Sequence, residues 1–304
     1  MTLPTRVSLI DVGPRDGLQN EKALVPVTQK VALIHALQAA GVKHLEATSF
    51  VSPRWVPQMA DAAQVLAQVK REPGVCLSVL TPNMKGLEAA LQSDVDEVVV
   101  FGAASETFSQ KNINCSIAQS MERFAPVVRA AHEAGVATRG AVSVAMGCPY
   151  EGEVAPTAVR DVAQRMHDIG VQRVAVADTV GRGTPRHTHE AMQAALAVYP
   201  VACITGHFHN TYGQALANTL VALQMGISTF ETSVAGLGGC PYSPGATGNV
   251  ATEDVVYMLH GMGIETGIDL TALVAAAQTI SAHLGRAPQS AVARALLAKA
   301  QATC

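Results

Sequence analysis

Charge is scarce in this sequence. Only 15% of its 304 residues are Asp, Glu, Lys or Arg, and they leave a formal net charge of -3. No block of basic residues occurs, which removes the electrostatic footprint of a nucleic-acid binder. Aromatic residues make up 4%, with a single Trp, against 49% hydrophobic residues, much of that share Ala and Val. Disorder needs low hydrophobicity and high net charge, and this chain has neither. No uninterrupted run of about 18 apolar residues exists, so no membrane-spanning helix is expected. The N-terminal MTLPTRVSLIDVG reaches a strand-like run almost at once and leaves no room for a secretory or transit segment. A compact cytoplasmic protein with no nucleic-acid or membrane partner is expected.

Close cysteine pairs are also missing. Cys76, Cys115, Cys148, Cys203, Cys240 and Cys304 show no C-x-x-C spacing, which argues against both a zinc-thiolate site and a disulfide framework. Free thiols are expected. Ten histidines, by contrast, are many for such a chain.

What the sequence does have is rhythm. Apolar, β-branched-rich runs cover residues 7–13, 43–50, 76–80, 97–103, 138–146, 173–180, 204–210 and 229–236. They recur at intervals of about 32 residues, the size of a strand, a helix and two loops. Helical patterns lie between them, including 28–40 with Thr28 as its expected cap, 116–134, 157–169 and 214–225. Gly41, Gly135, Gly170 and Gly226 each end a helix and feed the next strand, as in the turns of a parallel sheet. Eight such units predict a (β/α)8 TIM barrel. A doubly wound open sheet is the rival, but no G-x-G-x-x-G follows the first strand. Residues 1–263 are assigned to the barrel and 264–304 to helices packed on it, with no linker between, so a single catalytic domain is expected.

Function in such barrels sits where strands end. The first run ends in a Gly13, Pro14 and Gly17 turn that presents Arg15 and Asp16 at the barrel mouth. In isolation such a pair also reads as a solvated surface ion pair. In the seventh run, His207 and His209 stand two residues apart on a strand, so both imidazoles share a face and can reach one ion. His187 and His189 repeat the spacing where a helix starts; there they share no face, and a solvent-exposed helix start is expected. Glu46 and Asp178 interrupt apolar strands, where a buried carboxylate must be paired.

The glycine-rich segment 236–249 after the last strand has the composition of a lid or of a backbone close to a ligand, with Cys240 in its middle. A similar Gly-Cys-Pro-Tyr follows the fifth strand at 147–150, so residue pattern alone leaves the role of Cys240 open. An Asp, two His and an amide or carboxylate from this segment form an N/O ligand set suited to Mg2+ or Mn2+, less so to Fe2+ or Zn2+. Such an ion polarises a carbonyl or hydroxyl oxygen, and Arg15 is placed to hold an enolate. Making or breaking a C–C bond beside a carbonyl is the matching reaction class.

These motifs carry a family resemblance. Asp-Val-Gly-Pro-Arg-Asp-Gly-Leu-Gln-Asn-Glu at 11–21, Ser-Phe-Val-Ser-Pro-Arg-Trp-Val-Pro-Gln-Met at 49–59, Lys-Asn-Ile-Asn-Cys-Ser at 111–116, Gly-His-Phe-His-Asn at 206–210 and Gly-Leu-Gly-Gly-Cys-Pro-Tyr at 236–242 closely resemble the 3-hydroxy-3-methylglutaryl-CoA lyase family, in order and over nearly the whole chain. The family lies among the metallolyase TIM barrels. Ala47 and Arg54 depart from its pattern, away from the chemistry, and residues beyond Gly285 match no motif of it.

The resemblance implies divalent-metal-dependent cleavage of HMG-CoA to acetyl-CoA and acetoacetate in leucine catabolism and ketone-body formation. It implies Asp16, His207, His209 and Asn249 as metal ligands, Arg15 as enolate stabiliser and Cys240 in proton transfer. Glu46 and Asp178 become supporting acid/base or hydrogen-bonding groups, and Asn112 lies near the entrance for CoA. A homodimer or other homo-oligomer is implied by the same analogy. The alternatives are the same chemistry on a longer-chain 3-hydroxyglutaryl-CoA, a Claisen-type condensing enzyme, and a silent metal-binding barrel.

Overall fold

The computed structural model describes residues 3–239 and 248–302. Cys240 and Cys304 therefore lie outside the described residues. Eight parallel strands close a barrel in chain order: β1 (Ser8–Asp11), β2 (His44–Ser49), β3 (Cys76–Leu80), β4 (Glu97–Ala103), β5 (Ala137–Ser143), β6 (Arg173–Asp178), β7 (Ile204–Phe208) and β8 (Thr229–Thr232), with β8 pairing back onto β1. The predicted TIM barrel is the observed fold. Around it run α1 (Val27–Ala39), α2 (Ala62–Gln68), α3 (Met84–Ala90), α4 (Glu106–Ile113), α5 (Ile117–Glu133), α6 (Pro156–Asp168), α7 (Pro185–Leu196) and α8 (Ala215–Gln224). Then come α9 (Thr252–Gly261), α10 (Leu270–His283) and α11 (Ala291–Ala302). No helix among the described residues is long and apolar enough to cross a membrane.

The glycine rhythm has a clear physical cause. At Gly41 the backbone is left-handed, with φ of 95°. Gly41 N donates to Gln38 O, and Val42 N reaches back to Leu37 O, the paired bonds that end a helix through a left-handed residue. A Cβ here would also sit 2.3 Å from the carbonyl oxygen of Gly267, so α1 turns into β2 tightly against the segment before α10. The first helix begins one residue earlier than its Thr28 signal: Pro26 precedes it, and no side chain caps it. Proline at that point fixes φ near the helical value and lacks an N–H to satisfy.

Alternation along the strands sorts the two faces. Val98, Val100, Val142, Val174, Val176, Phe208 and Phe230 turn outward into the apolar layer beneath the helices. Their neighbours in sequence face the interior, and toward the mouth that interior is polar and ionic.

Candidate active site

At the C-terminal end of the barrel lies a cavity of about 200 Å³. Arg15, Asp16, Glu46, His207, His209 and Glu231 line one part of it; Leu80, Val99, Phe101, Phe108, Ala141 and Ala177 give the rest an apolar wall. Arg15 and Asp16 come from the single wide turn Gly13–Gly17, closed by Gly17 N donating to Val12 O at 3.1 Å. Gly17 has a specific reason to be glycine: a Cβ would stand 2.8 Å from Leu237 Cβ. That close approach brings the segment after β8 over the turn.

Arg15 is held at two points. Its Nε donates to Glu46 Oε1 and its Nη1 to Asp16 Oδ1, both at 2.6 Å. Glu46 has no solvent exposure and also faces Arg139 Nη2 at 3.5 Å, so the buried strand carboxylate is paired as its position requires. Burial pushes the Asp16 carboxyl up, but the charge of Arg15, the neighbouring His207 and His209 and the hydrogen bond from Asn249 outweigh it and hold the pKa far below the usual range. Asp16 is thus an anion.

His207 and His209 both point into the cavity, their ring centroids 5.1 Å apart, with Phe208 between them turned outward. Donor atoms of Asp16, His207 and His209 lie within 4.8 Å of one another. Asn249 joins them because His209 and Asn249 form an isolated antiparallel bridge. Its Nδ2 donates to Asp16 Oδ2 at 2.8 Å, while its buried Oδ1 has no partner among the described residues. Burial, reinforced by the neighbouring His209, pushes His207 down to about 3, so its ring is neutral and can offer a lone pair. An anionic oxygen, two imidazoles and an orphaned amide oxygen are a fitting donor set for a divalent cation. The surrounding charge agrees: the guanidiniums of Arg15 and Arg139 face the carboxylates of Asp16, Glu46, Glu97 and Glu231, which formally leaves two negative charges.

Asn112, on α4, lines the cavity. Asp178 does not: Ala177 and Thr179 face the cavity, and Asp178 turns away from it. Its Oδ2 accepts from Gly183 N at 2.9 Å, and burial pushes its carboxyl up to about 7 despite that bond. The structure gives it the work of holding the loop 181–183. His187 also departs from expectation. It is half-buried and forms a capping box with Thr184 at the start of α7, while His189 alone is exposed. Cys148, in the second Gly-Cys-Pro-Tyr, is buried with its Sγ 3.1 Å from Ser105 Oγ.

Three residues of this charged network, Arg139, Glu97 and Glu231, were not anticipated. Arg139 on β5 is 1% exposed and meets Glu97 Oε2 through Nε at 2.9 Å, Glu46 through Nη2, and Glu231 Oε1 through Nη1. Burial pushes Glu97 up, but Arg139 and then His44 overcome this and hold it at about 2. The signal was present: charged residues interrupting apolar strands, as at Glu46. Removing one member of such a buried network would leave a lone charge, typically a loss of about 3–5 kcal/mol.

The HMGL-like family matches residues 6–280. The chain belongs to that family. A Pseudomonas aeruginosa protein named 3-hydroxy-3-isohexenylglutaryl-CoA/hydroxymethylglutaryl-CoA lyase is 54% identical over 300 residues, 99% of this chain and 100% of its own length. The crystal structure of a hydroxymethylglutaryl-CoA lyase from Pseudomonas aeruginosa, 54% identical, superposes with a TM-score of 0.96 over 98% of this chain and 100% of that one. An HMG-CoA lyase from Acinetobacter baumannii in complex with coenzyme A and 3-methylmalate is 35% identical, with a TM-score of 0.92 and 97% of each chain covered.

Proposed function

We propose that this member of the HMGL-like family is a carbon–carbon lyase that cleaves HMG-CoA to acetyl-CoA and acetoacetate, with a role in leucine breakdown. The observation that carries the reading is Arg15 fixed beside the Asp16, His207 and His209 cluster in one cavity. Asp16, His207, His209 and Asn249 would hold a divalent cation, Mg2+ or Mn2+. Such an ion supplies Lewis acidity toward the hydroxyl and carboxylate oxygens of the substrate.

The chain's own residues supply the remainder. As the bond between C2 and C3 breaks, the C3 hydroxyl gives its proton to a base and its oxygen becomes the ketone of acetoacetate. The electron pair of the broken bond stays on the thioester fragment as an enolate, which takes one proton back. Arg15 meets that charge. Its Nε and Nη1 are engaged by Glu46 and Asp16, so the guanidinium is fixed before charge develops and need not reorganise. Glu46 acts by holding Arg15. The enolate carbon then takes a proton, for which the family resemblance points to Cys240. Cys240→Ala is expected to lower kcat strongly with little change in KM; an unaltered kcat removes the thiol from the reaction.

Asn112 and the polar rim of Gln19 and Asn20 would meet the arriving acyl-CoA. A cytoplasmic homodimer completes the reading, its C-terminal helices suited to the interface. Incubation with HMG-CoA and Mg2+ or Mn2+ should release acetoacetate and acetyl-CoA, and no product at saturating metal overturns the assignment. A second substrate is favoured by the apolar wall of Leu80, Val99, Phe101 and Ala141, against which a longer C3 substituent can pack. Comparing kcat/KM for HMG-CoA and an isohexenyl homologue decides between one substrate and two.

A further inference from the structure

We infer that Glu231, clamped by Arg139, is the positioning residue that sets the tautomer of His207 and aims its Nε2 at the metal position; this rests on the metal-site reading above. His207 and Glu231 are register partners on β7 and β8, so their side chains leave the same face of the sheet side by side. His207 Nδ1 lies 2.6 Å from Glu231 Oε2. An ionised carboxylate only accepts hydrogen bonds, so the proton is on Nδ1 and the lone pair on Nε2. A histidine ligand whose second nitrogen donates to a carboxylate is fixed in both orientation and basicity.

The carboxylate is itself immobilised. Arg139 Nη1 meets Glu231 Oε1, and Arg139 cannot yield, because Nε is bound by Glu97 and Nη2 faces Glu46 and Ser78. Glu97 in turn meets His44 Nε2 at 3.2 Å. A buried ionic chain therefore runs from His44 near the base of the barrel to His207, with a branch through Glu46 to Arg15. His209 gives the contrast within the same site: its Nδ1 is buried without a partner among the described residues, none of which clamps it in a comparable way.

The arrangement makes a specific prediction for Glu231→Gln. Arg139 only donates, so it claims the amide oxygen and turns the amide NH2 toward His207. That NH2 also only donates, so Nδ1 must become the acceptor and the proton moves to Nε2, where it blocks ligation. The test is 15N-histidine NMR of the metal-free protein together with calorimetric titration by Mn2+ alone. In the wild type, Nδ1 of His207 is expected protonated and Nε2 bare. In E231Q the two should exchange roles, and Mn2+ affinity should fall by about 10- to 100-fold. An unchanged tautomer with wild-type Mn2+ affinity overturns the inference.

Should E231Q fail to fold, Glu231→Asp carries the same two readouts. It keeps the charge facing Arg139 but withdraws from Nδ1, so mixed tautomers and weaker Mn2+ binding are expected, and wild-type behaviour in both overturns the inference. A wild type that shows the predicted tautomer and binds Mn2+ but cleaves no HMG-CoA would remove the proposed function and leave this positioning role standing.

Discussion

Asn249 donates through Nδ2 to Asp16 Oδ2 at 2.8 Å, joining the loop after β1 to the segment after β8. The bond turns one face of the amide to the carboxylate and leaves Oδ1 buried without a partner among the described residues. Asp16 thus anchors the amide as well as supplying the charge of the site. Asp16→Ala is expected to abolish measurable Mn2+ binding and to lower kcat/KM by about 10³-fold or more, since metal activation contributes several kcal/mol. Normal turnover and metal affinity in this variant would dismiss the ligand set.

Arg15→Lys separates charge from geometry. Lysine keeps one positive charge but cannot bond Glu46 and Asp16 at once through a rigid planar fork, as Nε and Nη1 do here. The ammonium would be drawn to the carboxylates and away from the enolate position. A fall in kcat of about 10²- to 10³-fold with KM changed only a few-fold is expected, the usual loss for one oxyanion donor. Steady-state kinetics at saturating Mn2+ reads this directly. A loss confined to KM would make Arg15 a substrate-binding residue only.

Metal should stabilise the folded protein, because the donors meet only after Asp16, His207, His209 and Asn249 are brought together from three separate loops and strands. At Mn2+ concentrations 100-fold above Kd the gain is about 2.7 kcal/mol. For a chain of this length that raises the unfolding temperature by roughly 4 °C. Chelation should reverse the shift, and Asp16→Ala should not show it. An equal shift in the variant would place the stabilising ion elsewhere.

How much of this was legible in the sequence depends on range. His207 and His209 could be read because strand geometry puts residues two apart on one face, and the structure turns Phe208 the other way. Gly41 could be read because a left-handed helix end tolerates little else. Glu46 was legible as a buried carboxylate needing a partner. Its partner Arg139 was not, because 93 residues separate them and only the closed barrel brings β2 and β5 across from each other. Asp178 is a different case. Its burial was predictable, but the side it faces depends on strand phase, and Ala177 and Thr179 hold the inward positions.

Glu253, at the start of α9, carries the last prediction. It is fully buried, with Oε1 accepting from Ala235 N at 2.8 Å and Oε2 without a partner among the described residues. Ala235 has a φ of 60°, a left-handed conformation costly for a residue with a side chain, and this bond helps hold it there. Burial pushes the Glu253 carboxyl from its ordinary 4.5 up to about 8, with only partial relief from the Ala235 N–H. The folded state therefore binds a proton that the unfolded chain has released above pH 4.5. Stability from this group is complete below that pH and is lost as pH rises toward 8, at up to about 1.4 kcal/mol per pH unit. Asp11, raised to about 6 by burial, and Asp178, raised to about 7, add slopes of the same sign that end at lower pH. Glu253→Gln keeps the acceptor for Ala235 and has no proton to lose. Urea unfolding at pH 5.5, 7 and 8.5 should show the wild type losing stability across the series. The variant should lose less, the difference growing steadily from pH 5.5 to about 8 and levelling off above it, because Asp11 and Asp178 contribute alike to both proteins. Parallel curves for the two proteins would show that Glu253 is already ionised in the fold.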